Sequence, residues 1–221
     1  MTVISDPAEY DAWYHTPRGM WISDIEFSLL MKLMSPLSKG SLLDVGCGTG
    51  HFSRLFAQTG FGVTGIDPDS KALSFAESLD SQVRYVKGDV TELPFPDKAF
   101  DVCCAVTSLC FVSEPVRALE EMWRVSRRGV ILGLLNRHSL LYFKKHEHGA
   151  YRGARWDVIA EVREWCRELT PLPEITVYSA VWFPGGGWLA CTLEPWMPNK
   201  PYCGGFLGIG LTKKMIGVSK G

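Results

Sequence analysis

Asp44, Gly46, Gly48 and Gly50, each two residues from the next in the spacing Asp-x-Gly-x-Gly-x-Gly, are the densest chemical signal in this chain. They stand in LLDVGCGTGHFS, residues 42–53, where Leu42, Leu43 and Val45 read as a short buried strand. Phe52, Leu55 and Phe56 then return at the spacing of one helix face. A strand, a glycine turn and a helix start in that order build a ligand cradle. Glycine has no Cβ, so the backbone can turn sharply and a ligand can lie against it. The free N–H groups of the helix's first turn face that ligand. The spacing is GxGxG with an acid before it, which differs from the GxGxxG of dinucleotide loops.

Two further acids stand at strand ends. GFGVTGID gives a second strand that closes at Asp67. Two roles compete there: a bidentate hydrogen bond to ribose hydroxyls, as in dinucleotide folds, or the N-cap of the next helix with Pro68 at its first position. VRYVKGDV, residues 83–90, reads as a third strand ending at Gly88-Asp89. Acids at the same edge of a parallel sheet favour the ligand role over two accidents of capping.

The pattern at 44–50 resembles motif I of the class I S-adenosylmethionine (SAM)-dependent methyltransferases. The loop LPFPDKAFDV, residues 93–102, and the EEMWRV helix resemble the small-molecule, ubiquinone/menaquinone branch of that superfamily. The resemblance covers about residues 42–135. It implies a Rossmann-like α/β fold, a mostly parallel sheet with helices on both faces and a C-terminal antiparallel hairpin. SAM is the implied cofactor. Its ammonium and sulfonium are cationic, which suits a carboxylate at Asp44. In the family an acid at the third strand's end accepts from the adenine amino group and the next N–H reaches a ring nitrogen, roles that map onto Asp89 and Val90. The implied cofactor-contacting set is Asp44, Gly46, Cys47, Gly48, Asp67, Pro68, Asp89, Val90, Thr107 and Tyr14, with no metal. The N-terminal segment often folds over the cofactor in this family, which makes Tyr14 and Arg18 lid candidates.

The elements that must position these residues follow from patterning. A helix is expected to start at Ser23 with the capping box Ser23-Asp24-Ile25-Glu26 and Ile22 stapled onto Phe27, and to end at Ser35-Pro36. Ala72, Phe75, Ala76 and Leu79 share a helix face. Residues 100–106 are a fourth strand, apolar except for Asp101, as when both faces are covered. Residues 113–126 form a helix with Val116, Leu119, Met122 and Trp123 inward, and 129–135 a fifth strand after an Arg127-Arg128-Gly129 turn. A helix over 156–169 is ended by Pro171 and Pro173. Residues 175–183 are β-rich, 185–187 a flexible glycine turn, 194–205 a loop and 206–211 a last strand. The division expected is one methyltransferase domain: a lid and helix over 1–37, a SAM-binding core over 38–135, and an acceptor-side insert with terminal hairpin over 136–221.

The chain's 221 residues carry 23 Lys and Arg against 24 Asp and Glu, so nothing draws it as a whole to nucleic acid or anionic membrane. No run spans a bilayer, and the N-terminus lacks signal-peptide regions. Seven cysteines without paired C-x-x-C spacing fit reduced thiols in a cytoplasmic protein, monomeric or homodimeric.

Methyl transfer asks the protein mainly to hold nucleophile, methyl and sulfur in line. Where the nucleophile carries a proton, His138 after the fifth strand and His15 in the lid are the candidate bases. Between Met122 and Trp156 eight Lys and Arg face only Glu147, a local charge of +7. The run reads either as a solvated face or, through Arg137, Arg152 and Arg155, as a clamp for a carboxylate or phosphate on a small acceptor. An RNA methyltransferase, a SAM-binding protein without turnover and an NAD-dependent oxidoreductase are the alternatives.

Overall fold

A computed structural model describes residues 6–37 and 39–214. Residues 1–5, 38 and 215–221, at the edges of the expected lid, core and hairpin, lie outside the described residues. Two N-terminal helices, α1 (Pro7–Tyr14) and α2 (Pro17–Met34), come first. They precede β1 (Ser41–Val45), α3 (His51–Gln58), β2 (Gly62–Asp67), α4 (Ser70–Leu79) and β3 (Arg84–Lys87). Then come β4 (Phe100–Val106), α5 (Pro115–Val125) and β5 (Ser126–Leu135). The last third holds α6 (Leu140–Lys145), α7 (Ile159–Trp165), β6 (Glu174–Ala180), α8 (Trp188–Leu193) and β7 (Phe206–Thr212).

The strands form one seven-stranded sheet in the order β3-β2-β1-β4-β5-β7-β6. The first five are parallel, and β7 runs antiparallel between β5 and β6. Chain order reverses between β1 and β4, and in open α/β sheets ligands sit at the carboxyl ends of the strands at that point. Neighbouring residues alternate between two cores, as the two-residue period of a strand requires. Leu43, Cys103 and Leu132 pack with Leu119 and Met122 of α5. Leu42, Cys104 and Ile131 pack with Leu30, Leu33 and Met34 of α2 and with Phe56. Helix α2 approaches β7 closely, because a Cβ on Gly208 would strike the Leu29 side chain.

Several expectations need correction. The helix does not begin at Ser23. The Asp6 carboxylate accepts from Ala8 and Glu9 N–H to cap α1, and the Thr16 hydroxyl accepts from Gly19 N–H at 3.0 Å to cap α2. Each cap precedes a proline at the first helical position. Ser23 is therefore buried inside α2, where no backbone N–H needs a cap. The N-cap of α4 is Asp69, not Asp67. Strand β3 stops at Lys87, Leu79 is exposed, and α7 is only seven residues long. Arg127-Arg128-Gly129 is not a turn. It lies within β5, with Gly129 so close to the Leu211 carbonyl that a Cβ would not fit. The last two strands pair antiparallel as expected, with α8 and irregular chain between them.

Candidate functional site

A cavity of about 1240 Å³ opens where β1, β2, β4 and β5 end, under α1 and the first half of α2. The glycine loop forms one wall. Gly46, Gly48 and Gly50 take φ of +69°, +53° and +75°, the left-handed region that disfavours side chains. A Cβ on Gly46 would also collide with Ser108, whose hydroxyl donates to the Val45 carbonyl at 2.6 Å. Gly46 N–H donates to the Ile66 carbonyl at 2.7 Å, which fastens the turn to β2.

Asp67 is built into this wall. Its Oδ2 accepts from Gly48 N–H at 2.9 Å and its Oδ1 from Asp69 N–H at 2.8 Å. Each oxygen keeps a second lone-pair direction for a ligand hydroxyl. Burial raises its pKa against those bonds. Asp44 lies deeper, accepting from the Ser53 hydroxyl at 2.5 Å, and burial pushes its carboxyl up to about 7. Asp89 is exposed at the rim. Its Oδ1 accepts from Thr91 N–H and Oγ1, both at 2.8 Å, which holds the carboxyl below its usual range. Cys47, Pro68, Val90 and Thr107 also line the cavity.

These residues fit the implied cofactor. The Thr49 hydroxyl and Asp69 Oδ2 are buried at the cavity without a hydrogen-bond partner. Buried polar atoms of this kind are expected to meet a polar ligand. The three left-handed glycines leave the space beside the loop free of side chains, and Asp44, Asp67 and Asp89 offer acceptors to hydroxyl, amino and cationic groups.

The N-terminal helices close the other side. Tyr14 stacks on His51 with ring centroids 3.7 Å apart and an 8° interplanar angle. His51 Nε2 lies 2.6 Å from the Ser23 hydroxyl, and burial lowers its pKa to about 4, so the ring is neutral at pH 7. Arg54 donates to Asp11 at 2.9 Å and to the Thr49 carbonyl at 2.7 Å, tying α1 to α3 and to the glycine loop. Arg18, Ile22 and Glu26 follow at four-residue spacing along α2 and all line the cavity. Trp13, His51, Glu26, Tyr10 and Tyr151 escaped sequence reasoning as site residues. The Asp-Pro and Thr-Pro caps that define α1 and α2 were the signal that would have located this face.

The expected catalytic and acceptor-binding residues are not brought together. His15 points to solvent beside Asp11, at 3.4 Å, and His138 is exposed; neither lines the cavity. Arg137 lies outside it because its guanidinium donates to the Trp156 carbonyl at 2.9 Å and to both Glu161 oxygens at 2.8 and 2.9 Å. Arg155 is held by Asp157 at 2.6 Å and by the Val112 and Leu109 carbonyls at 2.8 and 3.0 Å. Arg152 is exposed and also outside the lining. Internal partners, not an anionic ligand, absorb Arg137 and Arg155.

Residues 43–134 match the family model described as "Methyltransferase domain". A protein of Methanocaldococcus jannaschii is 32% identical over 167 residues, 73% of this chain and 76% of that protein. A malonyl-[acyl-carrier protein] O-methyltransferase of Pectobacterium atrosepticum is 37% identical over 103 residues. That match spans 47% of this chain but only 41% of the relative, and the Serratia marcescens protein of the same name is spanned over 36% of its length. Among solved structures, a SAM-dependent methyltransferase of Thermotoga maritima, described as a "possible histamine N-methyltransferase", superposes with a TM-score of 0.71 at 26% identity. It covers 94% of this chain and 96% of its own. A Haloferax volcanii methyltransferase, solved with its Trm112 activator, shares the fold with a TM-score of 0.63 at 22% identity, covering 92% and 97%. With the glycine cradle at the switch point of a 3-2-1-4-5-7-6 sheet, these matches place the chain: it belongs to the class I SAM-dependent methyltransferases.

Proposed function

We propose that this chain transfers the methyl group of SAM to a small-molecule acceptor held between the strand ends and helices α1 and α2. The observation that carries this reading is one continuous cavity, about 1240 Å³, that runs from the glycine loop to the aromatic face of α1. Pockets for one drug-sized ligand are about 300–1,000 Å³, so this one has room for a cofactor and a second small molecule.

When bound, SAM supplies a methyl group on a sulfonium, a leaving group that is already activated. Asp67 and the glycine loop hold and orient the nucleoside end, with Gly48 N–H fixing the Asp67 carboxylate. Tyr10, Trp13 and Tyr14 of α1 cover the cavity and exclude water, anchored by the Arg54–Asp11 pair and the Tyr14–His51 stack. Holding reactants in line contributes on the order of 7–11 kcal/mol. His51, neutral and bonded to Ser23, orients Tyr14. A clamp for an anionic acceptor finds no support, since Arg137 and Arg155 are spent inside the protein.

The test is calorimetric titration with S-adenosylhomocysteine, followed by mass spectrometry for methylated products after incubation with SAM and a small-molecule library. Binding and a product heavier than its precursor by one CH2 are expected. No binding refutes the reading, and methylation of RNA in preference to every small molecule replaces the acceptor class.

A further inference from the structure

One carboxylate in the cavity has no part in the cofactor cradle. Glu26 lines the cavity from α2, on the same helix face as Arg18 and Ile22. Among the described residues it has neither a hydrogen-bond nor an ion-pair partner. Leaving a carboxylate out of bulk water and unpaired costs free energy, and burial alone pushes its pKa up to about 8. A carboxylate kept for structure is normally paired, as Asp11 is with Arg54 and Asp157 with Arg155.

Tyr10 and Tyr14 of α1 and Tyr151 line the same cavity, and the Glu26 charge is among the causes that raise their pKa values. Tyr10 and Tyr14 bring their hydroxyls to 3.5 Å, and Trp13 meets Tyr14 edge-on at 5.0 Å. An unpaired carboxylate in a cavity lined by tyrosines is completed by a cation, through charge-assisted hydrogen bonds and cation–π attraction. The cavity's charge agrees, because its acidic side chains outnumber its three Lys and Arg, which are Arg18, Lys71 and Lys145.

We propose that Glu26, in the cavity that Tyr10, Tyr14 and Tyr151 also line, receives a protonated nitrogen of the acceptor, so that the acceptors are small amines. This rests on the reading that the cavity holds SAM and the acceptor together.

The experiment separates the two. S-Adenosylhomocysteine is titrated first, and failure to bind overturns the cofactor reading itself. With it saturating, three probes sharing a phenyl ring are titrated: phenethylamine, 2-phenylethanol and 3-phenylpropionate. Phenethylamine is expected to bind roughly 10–100-fold more tightly than the alcohol, the span of one charge-assisted hydrogen bond, and the carboxylate most weakly. Glu26→Gln keeps the shape and should erase the amine preference; Glu26→Asp keeps the charge and should retain part of it. Circular dichroism and S-adenosylhomocysteine binding establish that both variants are folded, and if Glu26→Gln is not, the parent's ranking of the three probes decides. Equal affinities, a preference for the carboxylate, no probe bound beside S-adenosylhomocysteine, or an amine preference that survives Glu26→Gln would each overturn the proposal.

Discussion

Replacing Glu26 by Gln should stabilise the ligand-free protein, and only at high pH. Burial raises the Glu26 carboxyl from 4.5 to about 8, so the folded state binds its proton more tightly than the unfolded state does. Stability must therefore fall as pH rises from the unfolded value toward 8, and the penalty is complete above it. Below pH 4 the group is protonated in both states and contributes nothing. At about 1.4 kcal/mol per unit, the rise sets an upper bound of ~5 kcal/mol. The side chain is not fully buried and faces an open cavity, so solvent screening reduces this to about 1–2 kcal/mol. For a domain of this size 1 kcal/mol moves Tm by roughly 2–4 °C. Glutamine is neutral throughout, so the variant should melt about 2–8 °C above the parent at pH 9 and level with it at pH 4. Asp44, whose pKa rises to about 7, titrates in the same direction, but it is common to both proteins and cancels in the difference. Differential scanning calorimetry from pH 4 to 9 measures the gap. A gap that stays constant with pH, or one that favours the parent at pH 9, refutes the argument that Glu26 is an unpaired charge.

Asp67→Ala should weaken S-adenosylhomocysteine binding by ~1.5–3 kcal/mol, measured by calorimetry, with no comparable affinity for NAD in either protein; equal responses to the two ligands would contradict the cradle. Gly48→Val places a β-branched residue at φ +53° and should abolish binding while circular dichroism still reports a folded chain; retained binding would mean the loop does not touch the ligand. Arg155→Met should lower Tm by several degrees, because Asp157 is fully buried beside it and is left unpaired. Arg137→Met, whose partners are half-exposed, should shift Tm little and leave the acceptor KM unchanged; a large KM increase would restore the clamp.

The strand-end wall of the cavity was legible because its signals are local. Asp44, the three glycines, Asp67 and Asp89 each stand at a strand end that hydrophobic patterning marks, and the sheet brings the ends together. Asp67 showed the limit: the ligand role was favoured over the cap only through its neighbours in the pattern, and the structure gives the cap to the next acid, Asp69. The acceptor half depends on long-range packing. Ser23 looked like a cap because Ser-x-x-Glu precedes an apolar run, yet Asp6-Pro7 and Thr16-Pro17 start helices earlier and carry Glu26 from a supposed cap into the cavity. His138 follows β5 by three residues in sequence but points away, since its N–H is held by the Asn136 side chain at 3.0 Å.

The basic run shows why a charge count alone could not separate its two readings. It is not one uniform solvated face, because Arg124 and Arg155 hold backbone in place while Arg127, Lys144 and Arg152 are exposed and Lys145 lines the cavity. Arg124 donates to the Phe95 and Leu93 carbonyls at 2.9 and 3.1 Å and so fixes the loop before β4. Arg155 bonds the Leu109 and Val112 carbonyls, and its own N–H donates to the Cys110 carbonyl at 2.7 Å. The segment it grips, 109–112, leaves β4 and lines the cavity. A guanidinium suits this task better than an ammonium, since its rigid fork can satisfy several carbonyls at fixed angles. Arg155 thus shapes the cavity from behind its wall. That distinction has a kinetic consequence: losing Arg155 should loosen the wall for every acceptor alike, whatever its charge, whereas losing a ligand-binding arginine would penalise anionic acceptors alone.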